Sequence, residues 1–364
     1  MGQHLTAPDQ HLVFHYANVT YFRRALQTGP PVIQDTAVIH PWVPRAAPAP
    51  LRTMPKVKVP ALRPIALASL IANVGLIVTG AAVRLTDSGL GCPTWPRCTD
   101  GSYTTTSAMG VHGVIEFGNR LLTFVLGAIA LACLVVALLD RPRRRRQVRL
   151  SAAVLLGIPG QGVVGGITVL THLNPWVVGL HFLLSMALIV AAYFLWRSTY
   201  EGDGTPIPLV APPLRHLTAL TVLASAAVIV LGVVVTGSGP HSGDNGAKRN
   251  GLDPASISQA HADAVFLLIG LTIALWFALR AVGARTPARA ARTLFVVEMA
   301  QGLIGFVQYF THLPVALVAA HMLGSALVWT ATLSVLWSIR ERPAHPQPAV
   351  PEPAAVVQQP VPAS

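Results

Sequence analysis

Of the histidines within or near long apolar stretches of this sequence, six stand out: His112, His172, His181, His261, His312 and His321. A histidine in a bilayer must find a polar partner or a metal, so each is a functional candidate. For any one of them alone, the bland alternative is an interhelical hydrogen bond. Spacing separates two from the rest. His261 follows Pro254 by seven residues and His321 follows Pro314 by seven, which puts both about 10 Å down their helices at roughly 1.5 Å per residue. Two imidazoles facing each other at one depth can take both axial positions of a haem iron, a six-coordinate electron-transfer centre. A zinc site would want three or four protein ligands, and no third is obvious here.

A second set gathers on one helix. Glu116 and Arg120 stand at i and i+4 on the same face as His112 and Asn119. The structural reading of the pair is a salt bridge. The functional reading is a carboxylate that accepts protons during an oxidation, with Arg120 holding its charge or binding a propionate. The preceding loop, RLTDSGLGCPTWPRC, carries Cys92 and Cys98 with five residues between them. A location on an oxidising side makes a disulfide plausible, and the spacing is not the CxxC of thiol oxidoreductases. Cys133 reads as a small core residue. His172 and His312 are expected to end their helices as polar residues at the membrane surface.

The elements that must position these side chains are membrane spans. The 364 residues are 52% hydrophobic and only 11% charged, too apolar for an ordinary soluble domain. Eight stretches reach the roughly 20 residues a span needs, at 64–83, 111–139, 150–171, 175–196, 216–237, 257–279, 293–312 and 315–338. The expected fold is therefore all-α integral membrane. The net charge of +12 could suggest nucleic acid, but the arginines sit between apolar runs and set topology instead. Lys56, Lys58, Arg63, Arg141, Arg143 to Arg146, Arg149, Arg197, Arg215, Arg280, Arg285, Arg289, Arg292, Arg340 and Arg342 collect on one side. Arg84, Arg97, Lys248 and Arg249 face the other. This asymmetry puts both termini in the cytoplasm of a plasma-membrane protein and the cysteine loop outside.

The chain also repeats itself. Gln161-Gly162, Thr171-His172-Leu173 and His181 recur 140 residues later as Gln301-Gly302, Thr311-His312-Leu313 and His321. A weaker echo joins Gly75 and Val78-Thr79-Gly80 to Gly232 and Val235-Thr236-Gly237. Four spans per copy is an even number, so both copies enter from one side. The expectation is two tandem four-helix bundles, 60–200 and 211–340, related by a pseudo-two-fold axis along the membrane normal, each able to hold a cofactor between facing helices. Residues 1–55 read as a disordered or misassigned extension, with Met54 a natural start, and 343–364 as a disordered tail.

The run VTGAAVRLTDSGLGCPTWPRC, the IEFGNR segment and the paired histidines resemble the haem A synthase family over roughly residues 60–340, most specifically in GLGCPTWPRC. Members oxidise a methyl of haem O to the formyl of haem A for oxidase assembly. The resemblance implies a haem b cofactor in the C-terminal half on His261 and His321, and the haem O substrate in the N-terminal half on His181. It also implies Glu116 as the catalytic acid, Cys92 and Cys98 as a redox-active or structural pair, a membrane electron partner, and association with the haem O synthase or a second copy. The chain departs from the family pattern twice. Where E-x-x-H-R is usual, it reads Glu116-Phe-Gly-Asn119-Arg120. Residues 238–258 also lack the second cysteine pair that some members carry. With asparagine in place of a ligand, the substrate is expected on His181 alone or on His181 with His112. The rival readings are a membrane cytochrome b that exchanges electrons with a quinone, and a repeat-built transporter.

Overall fold

The computed structural model describes residues 61–343; the extension 1–55 and the tail from 344 lie outside the described residues. Eight long helices make up most of it: α1 (Leu62–Leu85), α2 (Gly110–Leu139), α3 (Arg145–Leu170), α4 (Pro175–Ser198), α5 (Pro212–Ser238), α6 (Pro254–Ala281), α7 (Arg285–Phe310) and α8 (Val315–Ser338). Each is long and apolar enough to cross a membrane. The protein is therefore an all-α, multi-pass membrane protein.

Helix starts follow local chemistry. Asn174 caps α4 by accepting from the Trp176 N–H (3.0 Å), and Pro175 follows it. Asp253 caps α6 by accepting from the Ser256 N–H (2.8 Å), again followed by proline. Both satisfy a backbone donor that the first helical turn leaves free. Helices α3 and α7 begin at Arg145 and Arg285, well before the apolar runs at 150 and 293. Arginine is a good helix former and sits comfortably at headgroup level, so hydropathy alone marks these starts too late.

α3 and α7 also stop earlier than expected, at Leu170 and Phe310, so that His172 and His312 stand in the following turns rather than on the helices. Both turns are left-handed at two successive residues, with φ of 51° and 57° at His172 and Leu173, and 59° and 60° at His312 and Leu313. The sequence repeat is thus repeated in backbone conformation. It is repeated in hydrogen bonds too. Gln161 Nε2 donates to the His181 carbonyl (3.2 Å) and Gln301 Nε2 to that of His321 (2.8 Å).

Packing runs α1 on α2, α2 on α3, α3 on α4 and α4 back on α1. The same closed order holds for α5 to α8. The two rings meet along α1, α4, α5 and α8. Leu70, Ile77, Ile189, Tyr193, Leu333 and Trp337 are buried together at this seam, and Trp329 Nε1 donates across it to the Met186 carbonyl (3.2 Å). At the arginine-rich end a two-residue ladder, Ile207–Pro208 against Arg340–Glu341, ties the α4–α5 connection to the end of α8. Nearby, Arg144 pairs with Asp203 (2.9 Å) and Arg146 with Glu201 (2.7 Å). At the opposite, disulfide end, Arg84 Nη2 donates to the Thr236 carbonyl (2.7 Å) and the Gly89 N–H to that of Gly243 (2.8 Å).

Candidate haem sites and the disulfide loop

Glycine makes room for each inward histidine. The His181 ring of α4 lies on Gly165 of α3, His321 of α8 on Gly305 of α7, and His261 of α6 on Gly232 of α5. A Cβ on those glycines would stand 3.2, 3.2 and 3.1 Å from the imidazole Cε1. Gly165 and Gly305 are themselves 140 residues apart, a pair the sequence comparison could have caught. Nδ1 of all three histidines is buried without a hydrogen-bond partner. In an apolar surrounding such a group is costly unless a ligand or metal uses the ring.

His261 and His321 face each other with ring centroids 6.5 Å apart and planes at 70°. A metal–imidazole bond is about 2 Å, so two rings sharing one metal atom sit roughly 6 Å apart, centroid to centroid. Among the described residues no group of three His, Cys, Asp or Glu is placed to hold an ion. A pair of neutral nitrogen donors facing one another instead suits a planar group that brings its own equatorial ligands, as haem does.

The first half is built differently at the matching level. Asn119 Oδ1 accepts from Thr79 Oγ1 (2.8 Å), tying α2 to α1. Its counterpart Thr236 bonds its own helix at Gly232 (2.7 Å). Gly75, the counterpart of Gly232, has no side chain over it. His112 is exposed and its Nδ1 pairs with Ser88 Oγ (3.0 Å) at the start of the outer loop. Thus His181 is the one inward imidazole of this half, with Asn119 held by Thr79 and His112 directed elsewhere.

Glu116 and Arg120 are brought together with the cysteines. Cys92 and Cys98 form a disulfide, Cα to Cα 4.5 Å. The buried Glu116 accepts from the Cys92 N–H and from Arg120 Nη2 (2.5 Å). Arg120 also donates to the carbonyls of Cys92 and Thr94 (both 3.1 Å) and of Arg97 (3.3 Å). The pair thus forms the salt bridge that its spacing suggested, with loop carbonyls as further acceptors for Arg120. Cys133 is buried and free.

Removing one partner of a buried pair costs about 3 kcal/mol or more, because the other charge is left unmatched. Glu116→Ala is therefore expected to release the loop. Its disulfide should be reduced and alkylated at least about tenfold faster than in the parent protein, as followed by mass spectrometry. The His261–His321 site should be unchanged, and any conversion that depends on the carboxylate should stop. Unchanged reduction kinetics would remove Glu116 as the loop's anchor.

The chain is similar to known proteins. Residues 63–241 match the family model for a cytochrome oxidase assembly protein, COX15-CtaA. A Heme A synthase of Alkalihalophilus pseudofirmus is 26% identical over 76% of this chain and 97% of its own length. One of Symbiobacterium thermophilum is 26% identical over 70% and 89%. A Protoheme IX farnesyltransferase of Haloarcula marismortui is 31% identical over 36% of this chain and 28% of its own.

Proposed function

We propose that the chain, whose residues 63–241 match the COX15-CtaA cytochrome oxidase assembly model, is a haem A synthase, a membrane oxidoreductase that converts a peripheral methyl of haem O to the formyl of haem A. The observation that carries the reading is the His261–His321 pair, 6.5 Å apart, set against the single inward His181 of the other half. A ring pair holds a resident group from both sides. A site ligated from one side suits a macrocycle that must arrive and leave.

The division of labour follows. Residues 211–340 form the cofactor half, where His261 and His321 hold haem b. Residues 60–200 form the substrate half, with His181 as the ligand to haem O, and the halves are related by a pseudo-two-fold axis along the membrane normal. The cofactor supplies one-electron transfer. Taking a methyl to an aldehyde removes four electrons and inserts one oxygen atom, so protons must leave the substrate half as well. Glu116, fixed by the Cys92 N–H and Arg120, is the acceptor for them. The apolar walls of α1 to α4 exclude bulk water. Both termini are cytoplasmic and the disulfide loop is outside, as the arginine asymmetry requires. The haem O synthase is the natural supplier of the substrate. A membrane electron acceptor completes the reaction, and a second copy of the chain is a further candidate partner.

Extraction of pigment from the purified protein tests the assignment. Haem b together with haem O or haem A supports the synthase. Haem b alone returns the protein to the electron-transfer cytochromes, and no haem at all returns it to the transporters.

A further inference from the structure

Trp95 stands between the two cysteines, and its indole lies directly against Gly166 of α3, leaving no room there for a Cβ. Gly166 is buried beneath it. The preceding residue, Gly165, carries the His181 imidazole. Two successive residues of one helix, about 3.8 Å apart at Cα, therefore seat the indole and the imidazole. Gly166 is four residues from the last of α3, about 6 Å below its end at roughly 1.5 Å per residue. His181 is six residues into α4, or about 9 Å by the same rise. The indole thus lies against α3 close to the level of the histidine.

The loop delivers it there under restraint. Arg120 donates to the carbonyl of Thr94, the residue before Trp95, and Glu116 accepts from Cys92 N–H. The disulfide closes the loop on either side of the indole. Trp95 is nevertheless 36% exposed, so it is not a filler of the helix core. The second half has no such arrangement. Gly305 lies under His321 as Gly165 lies under His181, but the next residue is Phe306, 53% exposed. A phenylalanine occupies the position where the first half offers a glycine for the indole. Residues 238–258, the matching loop, contain no aromatic residue. The indole belongs to one half only, the half without a facing imidazole pair.

Resting on the synthase reading above, we propose that Trp95 is a positioning residue that closes the first-half site over haem O and retains it through both stages of the oxidation. The first stage takes an oxygen atom from water and gives up two electrons and two protons, leaving a hydroxymethyl group. The second removes two more electrons and two protons, giving the aldehyde; a membrane electron acceptor takes the electrons in each. A molecule oxidised twice must stay in place at the alcohol level, where ligation by His181 from one side is the only axial hold. A resident cofactor gripped from both sides needs no such cover.

The test compares purified full-length protein with Trp95→Ala, Trp95→Phe and Gly166→Ala, the last displacing the indole without altering the loop. Three quantities are measured: haem b content, the rate at which haem O passes to excess apomyoglobin, and the ratio of hydroxymethyl to formyl product by mass spectrometry. Trp95→Ala and Gly166→Ala should release haem O about tenfold faster, the loss of one good aromatic contact, and raise the alcohol share several-fold with haem b unchanged. Trp95→Phe should restore most of the retention. Parental release rates and product ratios in Trp95→Ala and Gly166→Ala, with haem b retained, overturn the proposal. Loss of haem b in both variants overturns it as well, since Trp95 would then be needed for folding. A parent protein that neither retains haem O nor makes haem A overturns the synthase reading itself, which separates the two failures.

Discussion

Substituting His321 by alanine is expected to abolish the low-spin haem b spectrum of the purified protein, and His261→Ala should do the same. The two rings face each other at 6.5 Å, each seated on a glycine of the neighbouring helix. Neither has another inward imidazole beside it in that half to take over. Loss of an outer-shell partner alone lowers metal affinity by roughly 10–100-fold, so loss of an axial ligand should exceed that. The outcome is a five-coordinate iron or an empty site. A general collapse of the fold is separable from this. The alanine leaves a space of imidazole size between α7 and α8, so added imidazole should restore a low-spin spectrum to His321→Ala, whereas an unfolded protein would not respond. His181→Ala lies in the other ring of helices and should leave the spectrum intact. Reduced spectra that stay low-spin at full haem occupancy in both His261→Ala and His321→Ala would falsify the ligand assignment.

The histidine pair was legible in the sequence because helix geometry converts spacing into depth. Two prolines, each seven residues before a histidine, mark the same level on α6 and α8. What the sequence concealed lies between elements. Nothing near Asn119 in the chain points to Thr79, forty residues earlier. Nothing in the Glu116–Arg120 spacing says that the pair closes on Cys92 and Thr94. The glycines under the histidines carried half a signal. Gly165 and Gly305 share the 140-residue offset, but a glycine in a membrane helix is too common to single out by itself. Helix starts at Arg145 and Arg285 were hidden for a different reason. Hydropathy measures what hydrocarbon tolerates, while the helix itself continues wherever its backbone bonds can be made.

The first half carries the second large expectation: His181→Ala should lose substrate binding and activity, and His112→Ala should keep most of both. Asn119 replaces the histidine that would complete a symmetric site, and its Oδ1 is already held by Thr79 (2.8 Å). His112 is exposed and pairs with Ser88 (3.0 Å). It also lies seven residues before Asn119, about 10 Å along α2 by helix rise, so a flat macrocycle bound at His181 does not meet both levels. On the proposed reading His181 would ligate haem O alone, with the opposite face of the iron left open. Changing Asn119 to histidine tests this directly. The new imidazole would stand where α2 matches His261 in the other half, and should convert the substrate haem from high-spin to low-spin in the absorption spectrum. Tighter holding on both faces should also slow turnover, because a substrate bound like a cofactor leaves slowly. The Thr79 hydroxyl, losing its asparagine partner, has the Leu76 carbonyl (3.2 Å) as an alternative acceptor, so the substitution leaves no orphaned donor on α1. If His112→Ala instead abolishes haem O binding while His181→Ala only weakens it, α2 supplies the dominant ligand and the depth argument fails.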